Sequence, residues 1–118
     1  MANDKDFIVK NAVEVGGSTK TTLGTITSGT VDLSTGNYFS ETLAANTTYA
    51  FSNAGDVQSF QLEVTGASTY TITWPTSIEW AGGISPAAPA NGETDLFSIS
   101  TDDGGTTYQG FKVADNLS

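Results

Sequence analysis

Apolar and polar positions in this chain alternate with a two-residue period wherever a periodicity can be read. In Thr69-Tyr70-Thr71-Ile72-Thr73-Trp74 the residues Tyr70, Ile72 and Trp74 fall on one face and three threonines on the other. The same rhythm runs through Phe60-Gln61-Leu62-Glu63-Val64-Thr65 and Thr47-Thr48-Tyr49-Ala50-Phe51-Ser52. A period of two is the signature of a strand with one buried face. Ser52-Asn53-Ala54-Gly55-Asp56 and Gly66-Ala67-Ser68 carry the residues that turns need, so 47 to 74 reads as an antiparallel meander. Further strands are expected over 8–15, 23–26, 30–33, 38–43, 96–100 and 107–113. No segment holds a helical period over three turns, so little or no helix is expected.

Short strands separated by turn residues predict an all-β chain, an antiparallel β-sandwich or jelly-roll-like barrel. Gly16-Gly17-Ser18 marks a soft boundary between an N-terminal arm, residues 1–20, and a sandwich domain, residues 21–118. Residues 80–92 hold two of the three prolines and form the longest expected loop, read as a crossover between two sheets. Thr and Ser fill 31 of the 118 positions, which suits pleated strands with one wet face.

Composition then narrows the chemistry. There is no His, no Cys and no Arg, which removes disulfides, imidazole and thiolate ligands, and the commonest general acid–base and anion-clamping groups. Thirteen acids against four lysines set a net charge of −9, unfavourable for nucleic acid or an anionic membrane. No apolar run is long enough for a transmembrane helix, and the acidic, polar start is unlike a signal peptide, so the expected location at synthesis is a cytoplasm. No catalytic residue, cofactor or metal ligand set is expected.

Three local patterns are worth testing. Thr101-Asp102-Asp103-Gly104-Gly105-Thr106-Thr107-Tyr108 resembles the Asp-box hairpin, in which Asp103 accepts backbone N–H groups, Gly105 takes a positive φ and Tyr108 packs beneath. A calcium site on Asp102 and Asp103 lacks both the roughly six to eight oxygens and the alternating spacing that the ion requires. Glu79 beside Trp80 has the makings of a glycosidase acid next to a sugar-stacking ring, yet that chemistry needs two carboxylates across one bond, and Glu93 and Asp95 lie beyond the 80–92 loop. The triplets starting at Asn46 and Asn116 match the glycosylation acceptor, but without a secretory leader they are read as coincidence.

A series of short motifs resembles a β-rich domain of structural proteins from marine and cyanobacterial tailed phages. The stretches are Val31 to Phe39, Asn46-Thr47-Thr48, Phe51-Ser52-Asn53, Ile72-Thr73-Trp74-Pro75, Trp80-Ala81-Gly82-Gly83 ahead of Pro86, and Asp103 to Tyr108 leading to Gly110-Phe111. They span residues 31 to 113. The resemblance implies a structural, non-enzymatic role on the virion surface. The short arm, unlike the long shaft of a fibre, turns the expectation toward a capsid decoration, or cement, protein bound to the major capsid protein or another virion protein. A tail-fibre or adhesin domain is the alternative. A carbohydrate-binding module with Trp74, Trp80 and Tyr108 as its stacking platform is the alternative of another class. Strands with few charged gatekeepers need protected edges, so the chain is also expected to pair with itself, as a homotrimer. The arm is the expected anchor: Lys5, Lys10 and Lys20 lie in it, and Phe7, Ile8, Val9, Lys10, Val13 and Val15 form strand-like runs suited to extending a partner's sheet.

Overall fold

A computed structural model describes residues 16–17 and 22–117. The expected strand over 8–15, and with it the anchoring residues Phe7, Ile8, Val9, Lys10, Val13 and Val15, lie outside the described residues. The rest is all-β. Ten strands follow in order: β1 Thr25–Thr27, β2 Thr30–Asp32, β3 Tyr38–Thr42, β4 Thr47–Thr48, β5 Ala50–Ser52, β6 Gln58–Thr65, β7 Ile72–Thr73, β8 Ile78–Trp80, β9 Thr94–Thr101 and β10 Tyr108–Leu117. The one helical element among the described residues is a 3₁₀ turn, Ala81–Gly83.

The strands form a five-stranded sheet in the order β3-β6-β9-β10-β8, a three-stranded sheet β1-β2-β5 and a two-stranded ribbon β4-β7. The five-stranded sheet is built on β6 and β9, antiparallel over eight pairs from Gln58↔Thr101 to Thr65↔Thr94. Their alternation sends Phe60, Leu62, Val64, Phe97 and Ile99 inward, all at most 1 % exposed. Val31, Leu33, Tyr49 and Trp74, in or beside the strands of the smaller sheets, close over them. The outer face is polar and self-satisfied. Tyr38 and Ser40 hydroxyls each donate to Glu63 at 3.0 Å, Gln61 Nε2 donates to Ser98 Oγ at 3.2 Å, and the Thr65 and Thr94 hydroxyls bond each other at 2.8 Å.

The sandwich is as expected, but the meander over 47 to 74 is not found. β4 pairs with β7, β5 pairs with β2 and β3 pairs with β6, each in parallel, so the 47–52 run splits between the ribbon and the three-stranded sheet, the 60–65 run lies in the five-stranded sheet and the 69–74 run joins the ribbon. Alternation says only that one face must be covered. Here the runs cover one another across the core: Tyr49, just after β4, stacks on Trp74, just after β7, with ring centroids 5.4 Å apart, and Trp74 sets its edge against Phe97 of β9 at 4.9 Å. The 80–92 segment is corrected too. It joins β8 to β9 within one sheet, and β10 later inserts between them. On the way it is held down, because Trp74 Nε1 donates to Pro86 O at 2.9 Å and Asn91 bridges to Gly66. Gly66 is required at that bridge, since a Cβ would overlap the carbonyl oxygens of Pro89 and Ala90.

Trp74 is 8 % exposed and packs the β4–β7 ribbon against the five-stranded sheet, so Trp74→Ala is expected to lower unfolding free energy by about 3 to 5 kcal/mol in chemical denaturation. A loss below about 1 kcal/mol would mean that the ring does not fill the core.

Candidate interaction surface

The β9–β10 connection forms the hairpin expected from its sequence. Asp103 takes Thr107 N–H at 3.0 Å and Thr107 Oγ1 at 2.6 Å, while the Thr101 hydroxyl donates to Asp103 at 3.0 Å and accepts Gly105 N–H at 2.9 Å. Gly104 and Gly105 have φ of 72° and 89°, a region that suits glycine. Gly104 N–H reaches Asp56 O at 3.0 Å, which ties the hairpin to the β5–β6 loop. Tyr108 is 3 % exposed beneath the turn, with its ring 5.0 Å from that of Phe51. The Asp103 carboxylate is thus committed to the turn, and no group of three or more acidic ligands forms among the described residues. Hydrogen bonds from Thr107, side chain first and then backbone, stabilise the charged form and hold the Asp103 carboxyl at about 2.

Glu79 is exposed at the edge strand β8 and accepts Gln109 Nε2 at 3.3 Å. Register puts Glu79 level with Gln109 and Ser100 on the outer face. Asp95 lies on the inner face five residues along β9 from Ser100, a separation from Glu79 of about 16 Å along the strands alone at 3.3 Å per residue. A glycosidase pair needs about 5 to 10 Å. Asp95 is instead 1 % exposed, accepts Asn116 N–H at 3.0 Å and faces Lys112 Nζ at 3.7 Å.

An open depression of about 620 Å³ lies beside Trp74, Pro75, Thr76, Glu79 and Trp80. The three-ring platform considered for a sugar does not form there, because Trp74 and Tyr108 are core residues and only Trp80 is partly exposed. Trp80 lies flat enough on Gly110 that a Cβ at that position would come 2.9 Å from Cζ3 of the indole. Its edge meets Trp74 at 4.9 Å, and its Nε1 is buried with no hydrogen-bond partner among the described residues.

The strongest candidate surface is the C-terminal strand. β8 pairs with only Tyr108, Gly110 and the residue between, so from Phe111 to Leu117 β10 has a ladder partner on its β9 side alone, among the described residues. Phe111, Val113 and Leu117 are 50, 51 and 44 % exposed on this stretch. Sequence reasoning missed the edge because β8 has three residues and no alternation to read. The available signal was Phe111-Lys112-Val113, where the neat alternation of the hairpin breaks down. The chain matches no known protein family, no curated protein and no solved structure.

The pH dependence of the hairpin has a definite sign. Asp103 titrates below the ordinary carboxyl value of 3.8, so its contribution is complete above about pH 4 and falls away as pH drops through about 2. Asp103→Asn is therefore expected to lower Tm at neutral pH, with the gap to the unmodified chain closing between about pH 4 and pH 2. A gap constant over that window would show that the carboxylate charge contributes nothing.

Proposed function

We propose that the chain is a non-enzymatic structural module on the surface of a tailed-bacteriophage particle, binding the outside of the shell as a decoration protein and acting as a homo-oligomer. The observation that carries this reading is where the phage-like motifs fall in the fold. Trp74, Trp80, Pro86 and Gly110 form one connected packing unit: Trp74 bonds Pro86, meets Trp80, and Trp80 rests on Gly110. Asp103 to Tyr108 closes the hairpin that leads into it. The residues that carry the resemblance are thus those that hold the sandwich together, as in a fold shared for its shape. None of them groups into an acid–base pair or ligand set.

The charge distribution supports the same role. In residues 1–20 three lysines balance three acids, so the whole net charge of −9 rides on the sandwich, where Lys112 is the one cation. Lys112 is engaged by Asp95 and, at 3.4 Å, by Asp115. An acidic, polar body resists nonspecific adsorption, and the neutral composition of residues 1–20 suits them to contact with acidic protein surfaces. The partner is then the major capsid protein or another virion protein, and a trimer is the expected oligomer.

Quantitative mass spectrometry of purified particles tests the location. A decoration protein is expected at a copy number near that of the coat protein. Tens of copies per particle would move the module to a tail fibre, and absence from particles would end the virion reading. Sedimentation of the isolated chain at micromolar concentration is expected to show an oligomer, and a stable monomer would overturn self-association.

A further inference from the structure

The exposed apolar residues of β10 coincide with its missing neighbour. The sheet edge at Tyr108 to Gly110 is covered by β8, but after Trp80 the chain leaves through the 3₁₀ turn at Ala81–Gly83, where Gly82 and Gly83 have φ of 80° and 78°. The seven residues from Phe111 to Leu117 continue as strand with their outer backbone groups unclaimed by any described strand. An open row of N–H and C=O groups beside apolar side chains is the acceptor half of strand addition.

Two such edges are poorly suited to each other. The β9–β10 ladder is irregular between Lys112 and Ala114 and again between Ala114 and Leu117, and Asp115, with its side chain 69 % exposed, would meet another acidic edge. Bulges, charge and a lysine are the devices that keep like edges apart. An added strand should therefore come from a segment that is apolar on one face and not acidic.

Residues 7–15 are such a segment. Phe7, Val9, Val13 and Val15 share one face of an extended chain with Asn11, and the other face carries Ile8, Lys10, Ala12 and Glu14. The nine residues match the seven of the edge, and Lys10 supplies a charge opposite to Asp115. The chain enters the sandwich at the far side: Gly24 N–H bonds Tyr38 O at 2.8 Å on β3, the opposite edge strand of the same sheet. From there the chain's own β10 lies across three strand spacings, about 14 Å, which the chain between residues 15 and 24 can span, so it is the self-association proposed above that places the added strand on a neighbour.

We infer that residues 7–15 of one copy add as a strand to the free Phe111–Leu117 edge of β10 in a second copy, so that the homo-oligomer is built by exchanged arms. This rests on the self-association proposed above and is independent of the virion assignment, since absence from particles would end that assignment without touching the exchange.

The chain has no cysteine, so disulfide trapping in the full-length protein tests the exchange directly. Chains carrying Val9→Cys are mixed with chains carrying Val113→Cys and oxidised; a third chain carries a cysteine in place of Val57, which is 78 % exposed in the β5–β6 loop, by the β9–β10 hairpin and before the open Phe111–Leu117 edge. The inference expects a disulfide-linked pair of Val9→Cys with Val113→Cys at several times the yield obtained with Val57→Cys. Equal yields with both partners, or no linked pair, would overturn it. A chain carrying Val9→Cys and Val113→Cys together is expected to give linked oligomers; closure within single chains alone would place the arm on its own β10 and overturn the exchange.

Discussion

The contact on which the rest of this fold depends is the aromatic junction around Trp74. Tyr49 lies against one face of the indole, Phe97 and Trp80 meet it at steep angles, and its Nε1 is bonded to Pro86. Those residues come from the junction of β4 and β5, the ends of β7 and β8, the middle of β9 and the long connection, so a single side chain couples the β4–β7 ribbon and the loop to the large sheet. The small strands could not persist otherwise. β4 and β7 have two residues each, and a two-residue parallel ladder supplies too few hydrogen bonds to offset the ordering of its own backbone. Their order comes from the large rings buried directly after them.

The same economy governs the polar groups. A sandwich of this size has only one core, and its outer sheet face must be solvated or satisfied in place. Here it is largely satisfied in place, by Glu63 with Tyr38 and Ser40, by Gln61 with Ser98 and by Thr65 with Thr94. Where polar groups are driven inward they find close partners. Burial and a hydrogen bond to Glu41 push the Tyr49 phenol far up, and the phenol donates to that carboxylate at 2.5 Å. Asp95, fully buried, has the Asn116 N–H and Lys112. Side-chain hydrogen bonding among the described residues thus goes largely to holding turns and strand faces.

That surface is uneven. The acidic charge spreads over the sandwich, while exposed large apolar residues concentrate on β10, the strand whose outer edge is open beyond Gly110. Charge keeps the bodies apart and the edge invites a strand of different character. Association through a neutral, apolar arm is one arrangement that satisfies both conditions without bringing two acidic faces together.

The sequence by itself determined the class of fold, most of the strands and the β9–β10 hairpin, because each depends on neighbours in the chain. Alternation at Phe60 to Thr65 and at Tyr70 to Trp74 fixes which side chains turn inward, and Asp103, Gly105 and Tyr108 build a turn from residues within a few positions. Only the tertiary structure decided which strands are neighbours. The parallel pairs β2 with β5, β3 with β6 and β4 with β7 follow from how faces are covered across the core, and a two-residue period is the same for either strand direction. The brevity of β8 left it without a pattern, yet its length is what leaves the outer side of Phe111 to Leu117 without a strand partner among the described residues. Burial decided the fate of the rings as well: Trp74 and Tyr108 look like a binding platform in one dimension and are core in three, since a large ring gains more from apolar contact than from water whenever the fold can enclose it.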